Sequence, residues 1–277
     1  MEKDGSNLPM RLLYGNPVGR AVLKGMLVIG APKVMAWYLH TPFSKGMIRR
    51  YIRKYNISLK GYPRVGYRCF SDFFERRRIK NRFDADPDHF ISPCDGMLSV
   101  YPVTDRAVFP VKGSEYRICD LIEDAELAER FRGGLGLIFR LAPNDYHHYA
   151  VVDDGYMHEH HFIEGSLHSV QPIACENVAV YRLNRRCWTL LETDHFGSAV
   201  QIEVGALAVG GIVNELEDTR VRKGQTMGHF SICGSTIVVF VEKDRIELLP
   251  EIKELIGTEI EYKVKFGEFI GTRKVQE

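Results

Sequence analysis

Short apolar and β-branched runs, separated by glycine-containing turns, dominate the sequence from about residue 178 onward. Runs of about four to eight such residues between turn signals predict buried strands. We predict strands at residues 187–191, 199–206, 209–213, 237–241 and 262–264, and a short helix near 251–256. The second part of the chain is therefore predicted to be mainly β.

Helical patterns occupy the first part of the chain. Residues 18–31 are mostly apolar, but a run of about 14 residues is too short to cross a bilayer, which needs roughly 20. In residues 45–55, apolar side chains recur at helical spacing with basic residues between them. This pattern predicts a basic amphipathic helix lying on an anionic surface, with a helix packed on its own domain as the alternative. A further helix is predicted over residues 120–132, capped by Asp120.

The charge of the chain divides in the same way. Residues 1–83 hold 18 Lys and Arg against 4 Asp and Glu, a balance of +14, whereas residues 84–277 have a balance of −13. Such an asymmetry indicates a polyanionic partner for the N-terminal region. Because no nucleic-acid-binding motif accompanies the charge, we expect an anionic membrane rather than nucleic acid, with peripheral attachment at the cytoplasmic face. We place the domain boundary between residues 83 and 84.

Cysteine and histidine usage argues against a metal or disulfide framework. The six cysteines are scattered without a Cys-x-x-Cys pair, which favours a reduced, cytosolic setting, and we expect no signal peptide. His158, His160 and His161 look at first like a cluster of metal ligands. Neighbouring side chains of an extended chain point to opposite faces, however, so they cannot all bind one ion. We therefore expect no metal site.

The stretch most suggestive of chemistry is residues 223–236, Lys-Gly-Gln-Thr-Met-Gly-His-Phe-Ser-Ile-Cys-Gly-Ser-Thr, followed by a β-branched run. Glycine can adopt backbone angles closed to other residues, so the Gly234 carbonyl can bend toward the Ser235 side chain. A fold that presses the two together gives an intramolecular attack a large proximity advantage. The alternative is a simple turn that leads into a strand.

This stretch resembles the self-cleavage segment of phosphatidylserine decarboxylases, Lys-Gly-x-x-x-Gly-x-Phe-x-x-x-Gly-Ser-Thr. Other segments resemble the same family, in order along the chain. They are Phe-Ser-Asp-Phe-Phe-Glu-Arg at 70–76, Ser-Pro-Cys-Asp-Gly at 92–96, Arg-Leu-Ala-Pro-Asn-Asp-Tyr-His at 140–147, Gly-Ser-Leu-His-Ser-Val at 165–170 and Val-Gly-Ala-Leu-Ala-Val-Gly at 204–210.

The resemblance implies a self-cleaving, pyruvoyl-dependent decarboxylase. Ser235, assisted by an Asp95–histidine pair, would attack the Gly234 carbonyl and cut the chain into a β chain, 1–234, and an α chain, 235–277. Ser235 would become a covalent pyruvoyl group, the cofactor of the enzyme. This group would form a Schiff base with phosphatidylserine, which then loses carbon dioxide to give phosphatidylethanolamine.

The implied fold agrees with the predicted elements. It is an α+β fold with a predominantly β catalytic domain, barrel-like or a sandwich, over residues 84–277. Helices flank this domain, and residues 1–83 form a helical, membrane-facing region. A homodimer is left open.

The sequence departs from the family at one histidine. The first family histidine, associated with decarboxylation, corresponds to His147, but the second, which belongs to the self-cleavage relay, corresponds to Ala150. Either His147 or His148 performs both tasks, or another histidine replaces the missing one. His168, at a position where the family commonly has phenylalanine, is the candidate replacement, with an ordinary strand histidine as the alternative. His148 is expected to point away from His147.

Two alternatives of other kinds stay open. One is a pyruvoyl decarboxylase that acts on a soluble amino acid, against which the basic N-terminal region argues. The other is a non-enzymatic β module, related in shape to lipoyl-type carriers, that docks on a membrane. An uncut chain would favour the module.

Overall fold

An antiparallel sheet of eight strands carries the segment that begins with Ser235. The computed structural model describes residues 12–111, 114–166, 168–169, 172–175, 179–205, 211–232 and 235–274. The helices are α1 (Pro17–Val28), α2 (Ala31–His40), α3 (Lys45–Tyr55), α4 (Phe70–Phe74), α5 (Ile118–Ile122), α6 (Ala125–Glu129), α7 (Pro172–Cys175), α8 (Val180–Leu183) and α9 (Pro250–Lys253), with a 3-10 turn at Pro42–Ser44. The strands are β1 (His89–Ile91), β2 (Gly96–Pro102), β3 (Val108–Val111), β4 (Ser114–Arg117), β5 (Leu135–Leu141), β6 (His148–Ala150), β7 (Gly155–Ile163), β8 (Arg186–Thr193), β9 (Gly197–Val204), β10 (Gly211–Asn214), β11 (Thr219–Val221), β12 (Thr226–Ser231), β13 (Ser235–Val241), β14 (Ile246–Leu248), β15 (Tyr262–Val264) and β16 (Phe269–Arg273).

The strands of the large sheet lie in the order β11-β7-β8-β9-β13-β5-β2-β15. β13 is central because its β-branched run is buried at every position and pairs with β9 on one side and β5 on the other. Smaller sheets have the orders β1-β16-β14, β10-β12-β6 and β3-β4. The predicted α+β class is confirmed. The described strands do not close into a barrel, however, since β11 and β15 are edges of the large sheet.

Both faces of the large sheet are covered by apolar side chains. One core lies under α5, α6, α8 and the β3–β4 hairpin, and includes Phe109, Tyr116, Leu121, Phe131, Val238 and Phe240. The other lies under the two three-stranded sheets, and includes Phe90, Tyr149, Phe230, Ile237, Val239 and Leu248. Alternate residues of β13 enter the two cores because successive side chains of a strand point to opposite faces. Ser235 therefore shares the face of Ile237.

The amphipathic helix predicted at 45–55 is confirmed as α3, but its apolar side does not face solvent. Ile48 is buried, and Tyr51 and Ile52 pack with it against the aromatic side chains of α4. The basic residues of α3 are exposed. The alternative of a helix packed on its own domain with a solvated basic face therefore describes α3.

Exposed apolar side chains lie on the elements before α3. Large apolar residues that are more than half exposed there include Val18, Ile29, Val34, Trp37 and Phe43. Among the described helices, none is by itself long and apolar enough to span a bilayer. The segments Pro17–Met26 and Ala31–His40, bent by 58° from each other, meet that length and composition criterion only as a pair.

The helix predicted over 120–132 is wrong in its extent. Two short helices, α5 and α6, take its place, and Glu123 between them has a left-handed backbone with a φ of 57°. Asp124, and not Asp120, caps the second helix by accepting the Leu127 N–H at 2.9 Å. A local cap and a left-handed residue thus interrupt an apolar periodicity that looks continuous in the sequence.

Candidate active site

Ser235 is the first residue of β13, and it is 1% exposed. In the β13–β5 pair it lies opposite Leu141, the last residue of β5. β5 leads directly into the loop 142–147, which contains the Asp-Tyr-His motif. The register of the sheet therefore places the start of this loop beside the residue expected to become the new N-terminus.

The strand before the predicted cleavage bond is paired with the other end of the same loop. In the β12–β6 pair, His229 lies opposite His148, and the Phe230 N–H donates to the His147 carbonyl at 2.9 Å. The strands that flank the bond are thus hydrogen-bonded to the two ends of the loop 142–147. The fold brings together two motifs that lie far apart in the sequence.

Backbone strain precedes the predicted cleavage bond. Ile232 has a φ of 37°, a value that β-branched residues rarely adopt and that costs about 1–3 kcal/mol. Its side chain is buried in a cluster with the aromatic residues of α4, which hold it in this conformation. Gly234, whose backbone is expected to bend toward Ser235, lies outside the described residues, as does Cys233.

Asp95 is buried, and four groups donate to its carboxylate, one of them the Tyr146 N–H at 3.4 Å. The Arg78 guanidinium donates to its carboxylate at 2.8 Å, the Lys265 ammonium at 3.1 Å and the Phe266 N–H at 2.9 Å. Gly96 follows because a Cβ at that position would come within 2.9 Å of the Arg140 carbonyl oxygen. The Asp-Gly motif is therefore more than a turn: it fixes a buried carboxylate between two cations.

A second carboxylate lies near the same ammonium group. Lys265 Nζ is 3.5 Å from Asp145 as well as 3.1 Å from Asp95. Burial alone would lower the pKa of Lys265, but these two carboxylates raise it above its usual value. Burial in turn raises the pKa of Asp145. Lys265 thus links the Asp-Gly motif to the Asp-Tyr-His motif.

His147 is buried directly beside these groups. Its Nδ1 contacts the Asp145 carbonyl oxygen at 3.1 Å, and its ring lies 4.2 Å from that of Phe74. The other ring nitrogen, Nε2, is buried and has no hydrogen-bond partner among the described residues. Burial, assisted by the positive charge of Arg76, lowers the pKa of His147 to about 3, so its imidazole is neutral at pH 7.

His148 lies in a different environment, as expected from the alternation of side chains. Its Nε2 contacts the Glu75 carbonyl oxygen at 3.0 Å, and its ring stacks between those of Tyr146 and His229. Burial lowers the pKa of His148 to about 4. His148 therefore does not join His147 in a common arrangement.

The expected hydrogen bond between Asp95 and a histidine is not formed among the described residues. Asp95 is occupied by Arg78, Lys265 and the Phe266 N–H, whereas His147 contacts a backbone carbonyl. Ala150, at the position of the second family histidine, is fully buried and packs with Tyr62, Tyr146 and Phe266. An apolar cluster thus occupies the place where the family has an imidazole.

The backbone of His168 is tied to the β9 side of β13, and its ring packs edge-on against that of Tyr14, with 6.3 Å between the ring centroids. The Asn184 side chain donates to the carbonyls of both His168 and Gly205, at 2.8 and 2.7 Å. Thr236 pairs with Val204 in the antiparallel β13–β9 pair. Ser235, one residue before Thr236, and Gly205, one residue after Val204, are therefore neighbours. The Nδ1 of His168 is buried without a hydrogen-bond partner in the described part of the chain, and burial lowers its pKa. His168 is outside any strand.

Three charged residues near the site were not identified as functional from the sequence. Arg78 and Lys265 belong to no strict motif, and only their contacts with Asp95 reveal them. Glu203 lies opposite Ile237 on the face that Ser235 shares, and it is fully buried. Burial raises the pKa of Glu203 to about 8. An acidic residue inside a strand that is predicted to be buried was the available signal for Glu203.

The histidines at 158–161 have separate partners. His160 contacts Thr189 Oγ1, His161 stacks on the Trp188 ring at 4.0 Å, and His158 lies 3.4 Å from a Glu192 oxygen. These imidazoles do not converge on one point, as the alternation of side chains predicted.

Ser235 is buried at the start of a strand, beside a loop that contains Asp145 and His147. The His147 Nε2 has no hydrogen-bond partner among the described residues, and this arrangement is typical of an enzyme rather than of a carrier module. The sequence profile named "Phosphatidylserine decarboxylase" matches residues 69–272. The chain belongs to the phosphatidylserine decarboxylase family.

Curated relatives agree over nearly the whole length. Phosphatidylserine decarboxylase proenzyme 2 of Clostridium acetobutylicum is 36% identical over 273 residues, which cover 98% of this chain and 94% of the relative. The phosphatidylserine decarboxylase proenzyme of Desulfitobacterium hafniense (strain Y51) is 34% identical over 281 residues, with coverages of 99% and 94%. That of Clostridium kluyveri is 35% identical over 274 residues, with coverages of 95% and 92%.

Proposed function

We propose that this chain is a proenzyme that cuts itself between Gly234 and Ser235 and then decarboxylates phosphatidylserine to phosphatidylethanolamine. The observation that carries the proposal is the strand pairing around the bond. β12 and β13 are hydrogen-bonded to the two ends of the loop that holds Asp145 and His147. Family membership and the names of the relatives, which call them proenzymes, support the same function.

Cleavage is an acyl shift followed by an elimination. The Ser235 Oγ forms a bond to the Gly234 carbonyl carbon, the peptide C–N bond breaks, and the hydroxyl proton passes through a base to the freed amine. Removal of the Cα proton of residue 235 then breaks its Cβ–O bond and releases the Gly234 carboxylate. Hydrolysis of the resulting dehydroalanine yields ammonia and a pyruvoyl group at the new N-terminus.

The surroundings of residue 235 fit such a group. Ser235 is 1% exposed, and the strand that follows it is buried at every position, so a carbonyl at the new N-terminus is anchored and shielded from water. A pyruvoyl group in this place supplies a carbonyl that condenses with the substrate amine and accepts the electron pair left when carbon dioxide departs. The chain itself orients the substrate and moves protons.

The two sides of β13 offer different imidazoles for these proton transfers. On the β5 side, the Nε2 of His147 is the buried nitrogen without a partner among the described residues, and we assign it the proton handling that follows decarboxylation. Asp95 is held between Arg78 and Lys265, and we assign it an electrostatic role in cleavage. On the β9 side, His168 is tied through Asn184 to Gly205, and it is our candidate for the base that removes the Ser235 proton.

The N-terminal region, residues 1–83, is proposed to attach the enzyme peripherally to an anionic membrane at the cytoplasmic face. The exposed apolar residues before α3 provide the inserting surface, with Trp37 and Phe43 as its largest exposed side chains. The exposed basic side of α3 provides the attraction to anionic headgroups. This arrangement differs from the sequence-based interpretation, in which the apolar side of α3 itself faced the lipid.

Intact-mass analysis of the purified protein tests self-cleavage. We expect two chains, 1–234 and 235–277, with the smaller one blocked by a pyruvoyl group, and a single uncut chain for Ser235→Ala. An uncut chain in active protein would overturn the mechanism. Assays with phosphatidylserine in mixed micelles and with free serine separate the lipid decarboxylase from the soluble amino-acid alternative.

Vesicle flotation tests the membrane proposal. We expect binding to anionic vesicles that weakens as salt rises, because exposed charges are screened within about 10 Å at 0.1 M ionic strength. A Trp37→Ser, Phe43→Ser double variant should float less at every salt concentration, whereas Phe162→Ser, an exposed aromatic of β7, is the matched control. Equal binding to neutral and anionic vesicles at all salt concentrations would contradict the role of the basic charge.

A further inference from the structure

A cluster of three metal-ligand side chains lies on the small sheet β10-β12-β6, outside the groups assigned to the chemistry of Ser235. His148 and His229 are directly opposite each other on β6 and β12. Glu215 follows β10, and its N–H donates to the Met227 carbonyl of β12. One ligand atom from each of the three residues can be chosen so that all lie within 4.8 Å of one another. The pairing of the strands, and not proximity in sequence, assembles the cluster.

His148 has the hydrogen bonding of a metal ligand. Its Nε2 lies 3.0 Å from the Glu75 carbonyl oxygen, so the proton belongs on Nε2, where it can be donated. This tautomer leaves a lone pair on Nδ1, which is buried and has no hydrogen-bond partner among the described residues. Metal-bound histidines almost always donate their second N–H to a carbonyl or carboxylate, and this contact fixes the ring. A cation would satisfy the buried Nδ1.

His229 and Glu215 provide the remaining ligands, and the Arg77 side chain that now pairs with Glu215 can be displaced. His229 Nδ1 lies 3.2 Å from Glu215 Oε1, and the Arg77 guanidinium forms an ion pair with the same oxygen. The Arg77 side chain is 60% exposed, so it can move into solvent when a cation takes its place. Arg77 is thus the group that neutralises Glu215 when the cation is absent.

We propose that His148, Glu215 and His229 form a binding site for a divalent transition-metal ion such as Zn²⁺. Two imidazoles and one carboxylate are a ligand set that suits Zn²⁺ and leaves a fourth position for water. The ion would bridge β6 and β12, the strands next to His147 and the predicted cleavage bond. The site does not depend on the proposed decarboxylation, and the binding measurement is independent of activity.

Zn²⁺ titration of metal-stripped protein, in competition with a chromophoric chelator, tests the site. We expect one ion per chain, and about a tenfold or greater loss of affinity in His229→Ala and in Glu215→Gln. His158→Ala, which removes an imidazole outside the cluster, is the matched control and should bind like the wild type. All variants share the same cysteines, so zinc bound to thiols contributes equally to each and does not affect the difference in affinity.

Two further variants make the test decisive. Arg77→Met should bind Zn²⁺ more tightly than the wild type, since Glu215 no longer has to exchange a guanidinium for the ion. Zn²⁺ should also raise the thermal unfolding midpoint of the wild type and not that of His229→Ala, because an ion that binds only the folded chain stabilises it. The proposal is overturned if the wild type binds Zn²⁺ no more tightly than His229→Ala, or if His158→Ala loses as much affinity as His229→Ala.

Discussion

His147 and His148 are adjacent in the chain, but their imidazoles lie in two different regions of the molecule. The His147 region is enclosed: the ring contacts Phe74 and the Asp145 carbonyl, and Ser235 in the neighbouring strand is equally buried. The His148 region is charged and open at its edge, where His229 and the Arg77–Glu215 ion pair lie. Because successive side chains of an extended chain point to opposite faces, adjacent histidines lie in different regions.

This difference makes His148 a poor candidate for the role of the histidine that is missing at Ala150. What matters is the face of the chain from which an imidazole projects, and His148 projects toward Glu75 and His229. His168, whose backbone is tied through Asn184 to Gly205, stays our proposed replacement even though it is distant in sequence. Residue type and sequence proximity are therefore poor guides to function in an alternating segment.

The largest expected effect distinguishes the two regions directly. His147→Ala should lower the decarboxylation kcat by about 100-fold or more, because it removes the unpaired Nε2 assigned to proton transfer. His148→Ala should lower kcat by less than about tenfold, since its ring contacts neither Asp145 nor Phe74. The measurement is the steady-state rate with phosphatidylserine in mixed micelles, corrected for the fraction of cleaved chain.

His161→Ala serves as the control for this pair, because His161 stacks on Trp188 and has no part in either region. Thermal unfolding of all three variants identifies losses caused by misfolding. Equal losses of kcat in His147→Ala and His148→Ala, with similar unfolding midpoints, would show that the two regions are not functionally separate.

The next prediction concerns which imidazole removes the proton of Ser235. His168→Gly should accumulate uncut precursor over the time in which the wild type is processed, because the imidazole proposed as the base for Ser235 is lost. Added imidazole should restore part of the cleavage rate if the ring acts as a base. Time courses by intact-mass analysis provide the measurement. Normal cleavage of His168→Gly would leave Asp95 and His147 as the working pair.

Much of this arrangement was predictable from the sequence. Apolar periodicity gave α3 and the central strands, and β13 is predicted nearly residue for residue because it is buried on both faces. Asp95, His147 and Ser235 were identified through the resemblance of their segments to the family, and the structure places these segments around one loop. Their catalytic roles stay predictions.

The remaining features depend on contacts that periodicity does not encode. The apolar side of α3 could have faced lipid or protein, and only the aromatic residues of α4 decide between them. The clamp of Arg78 and Lys265 on Asp95 joins residues from opposite ends of the chain. The His148–Glu215–His229 cluster likewise arises from strand register, whereas from the sequence only the histidines at 158–161 were considered as metal ligands.

The last expected effect, on stability rather than on activity, concerns how well the Ser235 face excludes charge. Glu203 is fully buried on that face, its carboxylate accepts a hydrogen bond from Gln201 Nε2 at 2.8 Å, and burial raises its pKa from 4.5 to about 8. Between these two pH values the folded chain keeps a proton that the unfolded chain has lost. The unfolded state therefore binds fewer protons, and the free energy of unfolding falls as pH rises from about 4.5 to about 8.

Glu203→Gln should remove this dependence, because the amide keeps the shape of the side chain and cannot ionise. In the uncut Ser235→Ala background, the stability of Glu203→Gln relative to its parent should increase from pH 5 to pH 8 and then stay constant. The slope is at most about 1.4 kcal/mol per pH unit. Urea unfolding at pH 5, 6.5, 8 and 9 measures it. A difference that is the same at all four pH values would mean that water or a cation reaches Glu203, and that the Ser235 face is as open to charge as the His148 region.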